Sequence, residues 1–269
     1  MSESLSLRFL YHTACGRAVL KLLVRPGLSR AAGKFLDSKC SKIFIRGFQK
    51  RNGISLDGIE VPEGGFPSFN SFFCRKRSHS AVDEDPGHLI SPCDGLLSVH
   101  TIDADSRLAI KNTTYSLAEL LQDAELADSY RGGKALIFRL MPTHYHRYAY
   151  ADSGIVLRQK RIEGVLHTVR PIATEQVPVY VQNSREYALL QSEQFGSVVQ
   201  MEVGALLVGR ITNLPTNGFV TRGEERGYFE FGGSTIVLLL QRDRVRLLPA
   251  YNAEQEIPVT LGQQIGEKV

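Results

Sequence analysis

Apolar and polar positions alternate along this chain in two different ways. Near the start, Leu7, Leu10, Tyr11, Ala14, Ala18 and Leu22 recur every three or four positions, which predicts an amphipathic helix over residues 5–24. The sequence "RPG" at 25–27 ends it, and Ser29 is placed to cap a second helix running to about Lys50. Ser68 ahead of "FNSFFCRK" and Ser116 ahead of "LAELLQD" predict two further, shorter helices. From Leu89 onward the period falls to two. The runs "LLSVHTI", "ALIFRLM", "GIVLRQKRI", "VPVYVQN", "EYALLQS", "SVVQMEV", "ALLVGRIT" and "TIVLLLQ" are short, alternating or β-branched, and bounded by turn residues. The expected fold class is α+β: a β-rich sandwich or hybrid-barrel core with peripheral helices and an N-terminal amphipathic helical segment. Residues 1–58 form that segment and residues 59–269 the core.

Charge sharpens this division. The net charge of +4 over 269 residues hides an asymmetry, because residues 1–51 hold eleven Lys/Arg against only Glu3 and Asp37. The remainder carries 21 basic and 26 acidic side chains. A basic segment that mixes Phe, Leu and Ile with Lys and Arg has the composition of helices lying in a lipid interface. The plainer alternative is that its apolar faces dock on the body while its charges are solvated. Nucleic acid is not expected as a partner, since no binding motif accompanies the charge. No apolar run is long enough to cross a bilayer, and Arg8, Arg17 and Lys21 interrupt any secretory h-region. Cys15, Cys40, Cys74 and Cys93 form no CxxC and read as thiols of a reducing compartment.

Several segments put polar residues where chemistry could use them. Asp94 lies in the Pro/Gly turn "SPCDGLL" directly before a strand; alone, it reads as a turn aspartate accepting backbone N–H bonds. In "RLMPTHYHRYAY", His144 and His146 share one face if the segment is a strand. His167 sits between apolar neighbours in "GVLHTVRPIA", as a core histidine would. A zinc site can be assembled from His144 and His146 with His79 and Asp83 of "HSAVD", although those two fall in a polar stretch that reads as a surface loop.

A second chemistry starts from "GYFEFGGSTIVLLL", residues 227–240. Two glycines at the mouth of an apolar strand usually mark a bulge or tight bend. They also free Ser234 to attack the carbonyl carbon of Gly233 and turn that peptide bond into an ester. A base must take the hydroxyl proton and donors must hold the oxyanion. Loss of the serine α-proton then expels the ester carboxylate, and the dehydroalanine left behind hydrolyses to a pyruvoyl group and ammonia.

These segments, in order and spacing, resemble the pyruvoyl-dependent phosphatidylserine decarboxylases. "PSFNSFFCRKR", "ISPCDG", "FRLMPTHYHRY", "HTVRPIA", "QNSRE", "FGSVVQMEVGALLVGRI" and "RGEERGYFEFGGSTIVLLL" carry the resemblance, which spans residues 5–241. It implies cleavage between Gly233 and Ser234, a large subunit 1–233, and a small subunit 234–269 beginning with a covalent pyruvoyl group made from Ser234. It further implies that Asp94 belongs to the self-cleavage relay and that His146 serves decarboxylation. Phosphatidylserine would be converted to phosphatidylethanolamine and CO2 through a Schiff base, without a metal. The expected partners are phosphatidylserine in an anionic membrane surface and the two subunits of the chain's own cleavage, with a homo-oligomer left open. The expected location is peripheral, at the cytoplasmic face of the cell membrane.

One departure stands out. The family commonly reads D-Y-H-R-x-H, its last histidine being the relay base, whereas this chain has Ala149 there. His144 or His167 could stand in, and His167 is favoured. The alternatives are a decarboxylase of another serine lipid or a free amino acid, an uncleaved lipid-binding relative, and, more remotely, a zinc peptidase.

Overall fold

The computed structural model describes the chain apart from residues 1–4, 25, 111–112, 170, 175–176, 206–209 and 232–233. The expected cleavage-site Gly233 and half of the "ALLVGRIT" run, residues 206–209, therefore lie outside the described residues. The core is an eight-stranded antiparallel sheet. Its order is Phe219–Val220, Gly154–Ile162, Arg185–Ser192, Gly196–Val203, Ser234–Leu240, Lys134–Leu140, Gly95–Thr101 and Ile257–Val259. The architecture is the α+β, β-rich arrangement that the alternating runs predict.

Ser234–Leu240 runs through the interior of this sheet and every one of its residues is buried. Its alternate side chains enter two separate cores. Ile236, Leu238 and Leu240 join Phe138, Tyr148, Phe229 and Ile265 beneath two small three-stranded sheets. Val237 and Leu239 join Ile137, Met201, Tyr115, Leu120 and Ala127 beneath the helices Leu117–Leu121 and Ala124–Asp128 and the Arg107–Ser116 hairpin. A strand buried on both faces reads as an unbroken apolar run, which is why "TIVLLL" shows no polar alternation.

The N-terminal segment departs from two long helices. The first is divided into Leu5–His12 and Ala14–Leu23. Thr13 makes the break: its Oγ1 donates to the Phe9 carbonyl (2.8 Å) and accepts from the Gly16 N–H (2.9 Å). The second is divided into Pro26–Asp37 and Ile43–Asn52 by a 3-10 turn, Lys39–Lys42. It starts at Pro26 rather than at a Ser29 cap, because proline's fixed φ suits a first helical position. Tyr11, Leu20 and Val24 pack against Val169, Ile172, Ala173, Val179 and Ala205 of the body. Phe9, Val19, Phe35, Ile43 and Phe44 stay exposed.

The serine caps are present as expected. Ser68 Oγ accepts from the Ser71 N–H, and Ser116 Oγ from the Glu119 N–H. "VPVYVQN", expected as a strand, instead contains the short helix Val179–Gln182. Pro178 has no N–H to give a sheet, while its carbonyl accepts from the N–H groups of Val181 and Gln182.

Candidate active site

A single row of paired residues crosses the large sheet at one end: Leu96, Arg139, Thr235, Val203 and Arg185. Asp94 lies just before this row, Ser234 one residue before it, Gly204 one residue after it, and Met141 two residues beyond Arg139. Residues far apart in sequence thus meet at one rim because antiparallel register aligns them.

Ser234 is 1% exposed, and its side chain shares the face of Ile236 and of its cross-strand partner Leu140. Its Oγ is buried and has no hydrogen-bond partner among the described residues. A buried hydroxyl left unsatisfied costs about 1–3 kcal/mol, so it is kept for something other than stability.

Asp94 is buried and held from two sides. Arg77 grips its carboxylate with both terminal nitrogens (2.6 and 3.1 Å), and the Leu261 N–H donates to it at 3.0 Å. Arg77 in turn lies over the Tyr145 ring, 4.3 Å from its centroid. Ala149 belongs to the same neighbourhood. It packs with Tyr145 and Leu261, and its N–H bonds the Pro92 carbonyl two residues ahead of Asp94.

His144 and His146 do not share a strand face, contrary to the expectation. The strand there is Arg147–Ala149, and His144 sits in the preceding turn, where its N–H bonds the Met141 carbonyl. His144 Nδ1 accepts from the Met141 N–H at 3.2 Å. Burial lowers its pKa, with Arg139 adding to that effect and Asp94 opposing it. His146 is fully buried. Its Nδ1 donates to the His144 carbonyl at 2.9 Å, and its ring centroid lies 4.0 Å from that of Phe73. Phe73 also packs edge-on to Phe231 at 5.1 Å, which brings His146 beside the segment leading to Ser234.

His167 reaches the same rim through Asn183. The Asn183 side chain accepts from the His167 N–H (2.9 Å) and donates to the carbonyls of His167 (2.8 Å) and Gly204 (2.7 Å). His167 Nδ1 lies 3.2 Å from the Tyr11 hydroxyl, which also accepts from the Thr168 N–H. Burial lowers the pKa of His167 and pushes that of Tyr11 up to about 12, so both are neutral near pH 7. Tyr11, Arg77 and Asn183 were not singled out as site residues in the sequence. The "QNSRE" motif contains Asn183 and "PSFNSFFCRKR" ends in Arg77, whereas nothing local marks Tyr11.

Part of the zinc alternative is engaged elsewhere. Asp83 Oδ1 bonds His88 Nδ1 at 2.9 Å, and no group of three His, Cys, Asp or Glu placed to hold a metal occurs among the described residues.

Gly227 fits the small sheet beside the site only as glycine. A Cβ there would stand 2.3 Å from the Thr212 carbonyl oxygen and 2.9 Å from the Tyr148 hydroxyl. This close packing seats the "GYF" approach to Ser234.

Fold and rim together define a β-rich protein with a buried serine at the head of an interior strand, and an acid–arginine pair and three histidines toward the same end of the sheet. The sequence model for phosphatidylserine decarboxylase matches residues 69–267. A phosphatidylserine decarboxylase proenzyme 2 of Clostridium acetobutylicum is 41% identical over 268 residues, covering 97% of this chain and 91% of that protein. Phosphatidylserine decarboxylase proenzymes of Clostridium novyi and Ruminiclostridium cellulolyticum are 38% and 42% identical, covering 98% and 90% of this chain and 92% and 82% of their own lengths. The chain belongs to the phosphatidylserine decarboxylase family.

Proposed function

We propose that this chain is a proenzyme that cuts itself between Gly233 and Ser234 and then converts phosphatidylserine to phosphatidylethanolamine and CO2. The observation that carries this reading is the Ser234 hydroxyl, buried and without a hydrogen-bond partner among the described residues, in a chain of this family. The same orphaned hydroxyl fits the precursor of a covalent pyruvoyl group. Once formed, that group supplies an electrophilic carbonyl for the substrate amine and a sink for the electrons released with CO2.

Tautomers decide between the two stand-in bases. A backbone N–H can only donate, so His144 Nδ1, which accepts from Met141, carries no proton and the neutral ring holds its proton on Nε2. That nitrogen is suited to donate toward an oxyanion. His167 faces a hydroxyl oxygen, which can accept the Nδ1 proton and leave the Nε2 lone pair to take the proton of Ser234. His167 is therefore the base in this reading and Tyr11 its positioning residue. Asp94, fixed by Arg77, supplies negative charge that favours proton transfer at the rim. His146 has its proton on Nδ1, directed at the His144 carbonyl, so it exchanges a proton with substrate through Nε2.

After cleavage, residues 234–269 stay with residues 1–233, because Ser234–Leu240 is paired on both sides within the sheet. Residues 1–58 act as the membrane-associating segment, with the protein peripheral at the cytoplasmic face. The basic excess there and the exposed Phe9, Val19, Phe35, Ile43 and Phe44 support this. Ala149 favours a second reading, an uncleaved lipid-binding protein.

Intact mass under denaturing conditions separates the two. Fragments split after Gly233, with the smaller lighter by one ammonia than a serine-started peptide, establish the proenzyme reading. A single full-length species refutes it and leaves the binding protein.

A further inference from the structure

Arg75 is only 6% exposed, yet among the described residues no carboxylate lies within ion-pair distance of it. Asp94, which acts on Arg75 electrostatically, is already gripped by Arg77. The guanidinium donates only two long hydrogen bonds, to the carbonyls of Phe73 and His144, both at 3.4 Å. Its Nε is buried without a hydrogen-bond partner among the described residues, and its other neighbour is the Phe72 ring, whose centroid lies 5.5 Å from the guanidinium carbon. Burial works against its charge, yet a guanidinium is not deprotonated in proteins, so the charge persists. A buried, charged, under-bonded guanidinium is costly unless something anionic comes to it.

Arg75 lines a cleft of about 270 Å³ that reaches this rim. Gly53 and Ser55, just beyond the basic helix Ile43–Asn52, form one wall; Arg77, Thr143 and Tyr145 form another. Of the acids facing the cleft, Asp94 is paired with Arg77, and Asp57, in the segment of Gly53 and Ser55, accepts the Ser55 hydroxyl. Arg75 and His146 donate to the same carbonyl, that of His144, so the cleft and the decarboxylation site are adjacent.

We infer that Arg75 is the binding residue for the phosphodiester of the lipid headgroup, which enters the cleft from the side of the N-terminal helices. The inference rests on the proposed reaction. Guanidinium geometry matches two phosphate oxygens, and the phosphodiester keeps its charge throughout the reaction. The substrate carboxylate does not: it departs as CO2, and a cation bound to it would stabilise the ground state against the reaction. An arginine at the phosphodiester contributes uniform binding, felt in KM and not in kcat.

The test is steady-state CO2 release from short-chain phosphatidylserine in mixed micelles, with sn-glycerol 3-phosphate as competitor. For Arg75→Gln, cleavage is first checked by intact mass, and Arg75→Lys replaces it if processing is lost. The expected result is a KM raised about tenfold or more with kcat within about twofold. Glycerol phosphate should compete with the wild type and lose that competition in the variant. A fall in kcat at unchanged KM, a rise in kcat, unchanged kinetics, or a wild type indifferent to glycerol phosphate overturns the inference. Should the wild type release no CO2, the decarboxylase reading fails on its own. Broadening of the glycerol phosphate ³¹P signal by wild type and not by Arg75→Gln then judges Arg75 separately, and equal broadening by both sinks it.

Discussion

The Tyr11 hydroxyl stands 3.2 Å from Nδ1 of His167, joining residues 156 positions apart. The N-terminal segment therefore does more than carry charge: it supplies the group that orients the proposed base. Replacing His167 by Ala should slow self-cleavage about 100-fold or more, the scale of a lost general base. Tyr11→Phe keeps the packing and removes the oxygen, and should slow it about tenfold. Both are read as the time course of fragment appearance by mass. Full-speed cleavage by His167→Ala, with His144→Ala impaired, would transfer the role to His144.

The pH dependence follows from burial. His167 titrates below its ordinary value of 6.5, so the neutral base persists as pH falls past that point. The half-maximal rate of cleavage should come below pH 6.5. His100 and His144 are lowered in the same sense, also mainly by burial. With folded values below unfolded ones, the unfolded chain binds more protons on acidification. The stabilising contribution is complete above pH 6.5 and is lost as pH drops through the folded values. Asp152, Glu202 and Glu230, raised by burial, act in the opposite sense. The fall in urea midpoint from pH 7 to pH 5 should therefore be larger for the wild type than for a variant with His100, His144 and His167 changed to Gln; equal falls contradict the assignment.

Beneath the Ser234 face lies an ion pair with no solvent contact. Arg226 binds Glu202 through two bonds of 2.8 and 2.9 Å, both side chains are fully buried, and Glu202 opposes Ile236 in the sheet. Burial raises the Glu202 pKa, while Arg226 opposes that rise. Glu202→Ala should cost about 3–5 kcal/mol, because it strands a buried guanidinium. Replacing both partners by Met should cost markedly less than the single change. Equal losses in the two proteins, measured by urea denaturation, would mean that the pair is not the source.

Period-two patterning made most of the large sheet legible, since runs such as "GIVLRQKRI" became strands with the expected ends. It failed at "VPVYVQN", where alternating valines suggested a strand but Pro178 and the burial of Val179 and Tyr180 favoured a helical turn. It failed again at His144 and His146, whose spacing suits a strand although the turn after Leu140 claims them. The relay role of Asp94 came only from the family resemblance, whereas the glycines ahead of Ser234 and the Pro/Gly turn around Asp94 were legible locally. Arg75 and Arg77 were not, because "CRKR" looks like a solvated charge run until tertiary packing buries one arginine and pairs the other. Tyr11 was equally hidden, reading as one more apolar position of a helix whose partner lies across the fold.

A chelator should leave CO2 release unchanged, and so should the omission of pyridoxal phosphate. Asp83 bonds His88 and His144 Nδ1 accepts from the Met141 N–H, and no group of three His, Cys, Asp or Glu placed to hold a metal occurs among the described residues. Activity lost in chelator and restored by zinc would revive the metal reading and displace Ser234 from the centre of the chemistry.

Lys39, Lys42, Arg46 and Lys50 are exposed along the helical segment that carries the exposed Phe35, Ile43 and Phe44. None of the four cations packs into the rim. Each basic side chain near an anionic bilayer contributes about 1 kcal/mol, so changing all four to Gln should weaken binding to phosphatidylserine vesicles by about a hundredfold or more. The wild-type interaction should also weaken steeply with salt, as exposed charges are screened beyond about 10 Å at 0.1 M. Self-cleavage should proceed at the wild-type rate, because Tyr11 and its contact with His167 are untouched. Vesicle sedimentation reads the first effect and intact mass the second. Undiminished sedimentation would assign these charges to solvation alone and leave membrane attachment to the exposed apolar side chains.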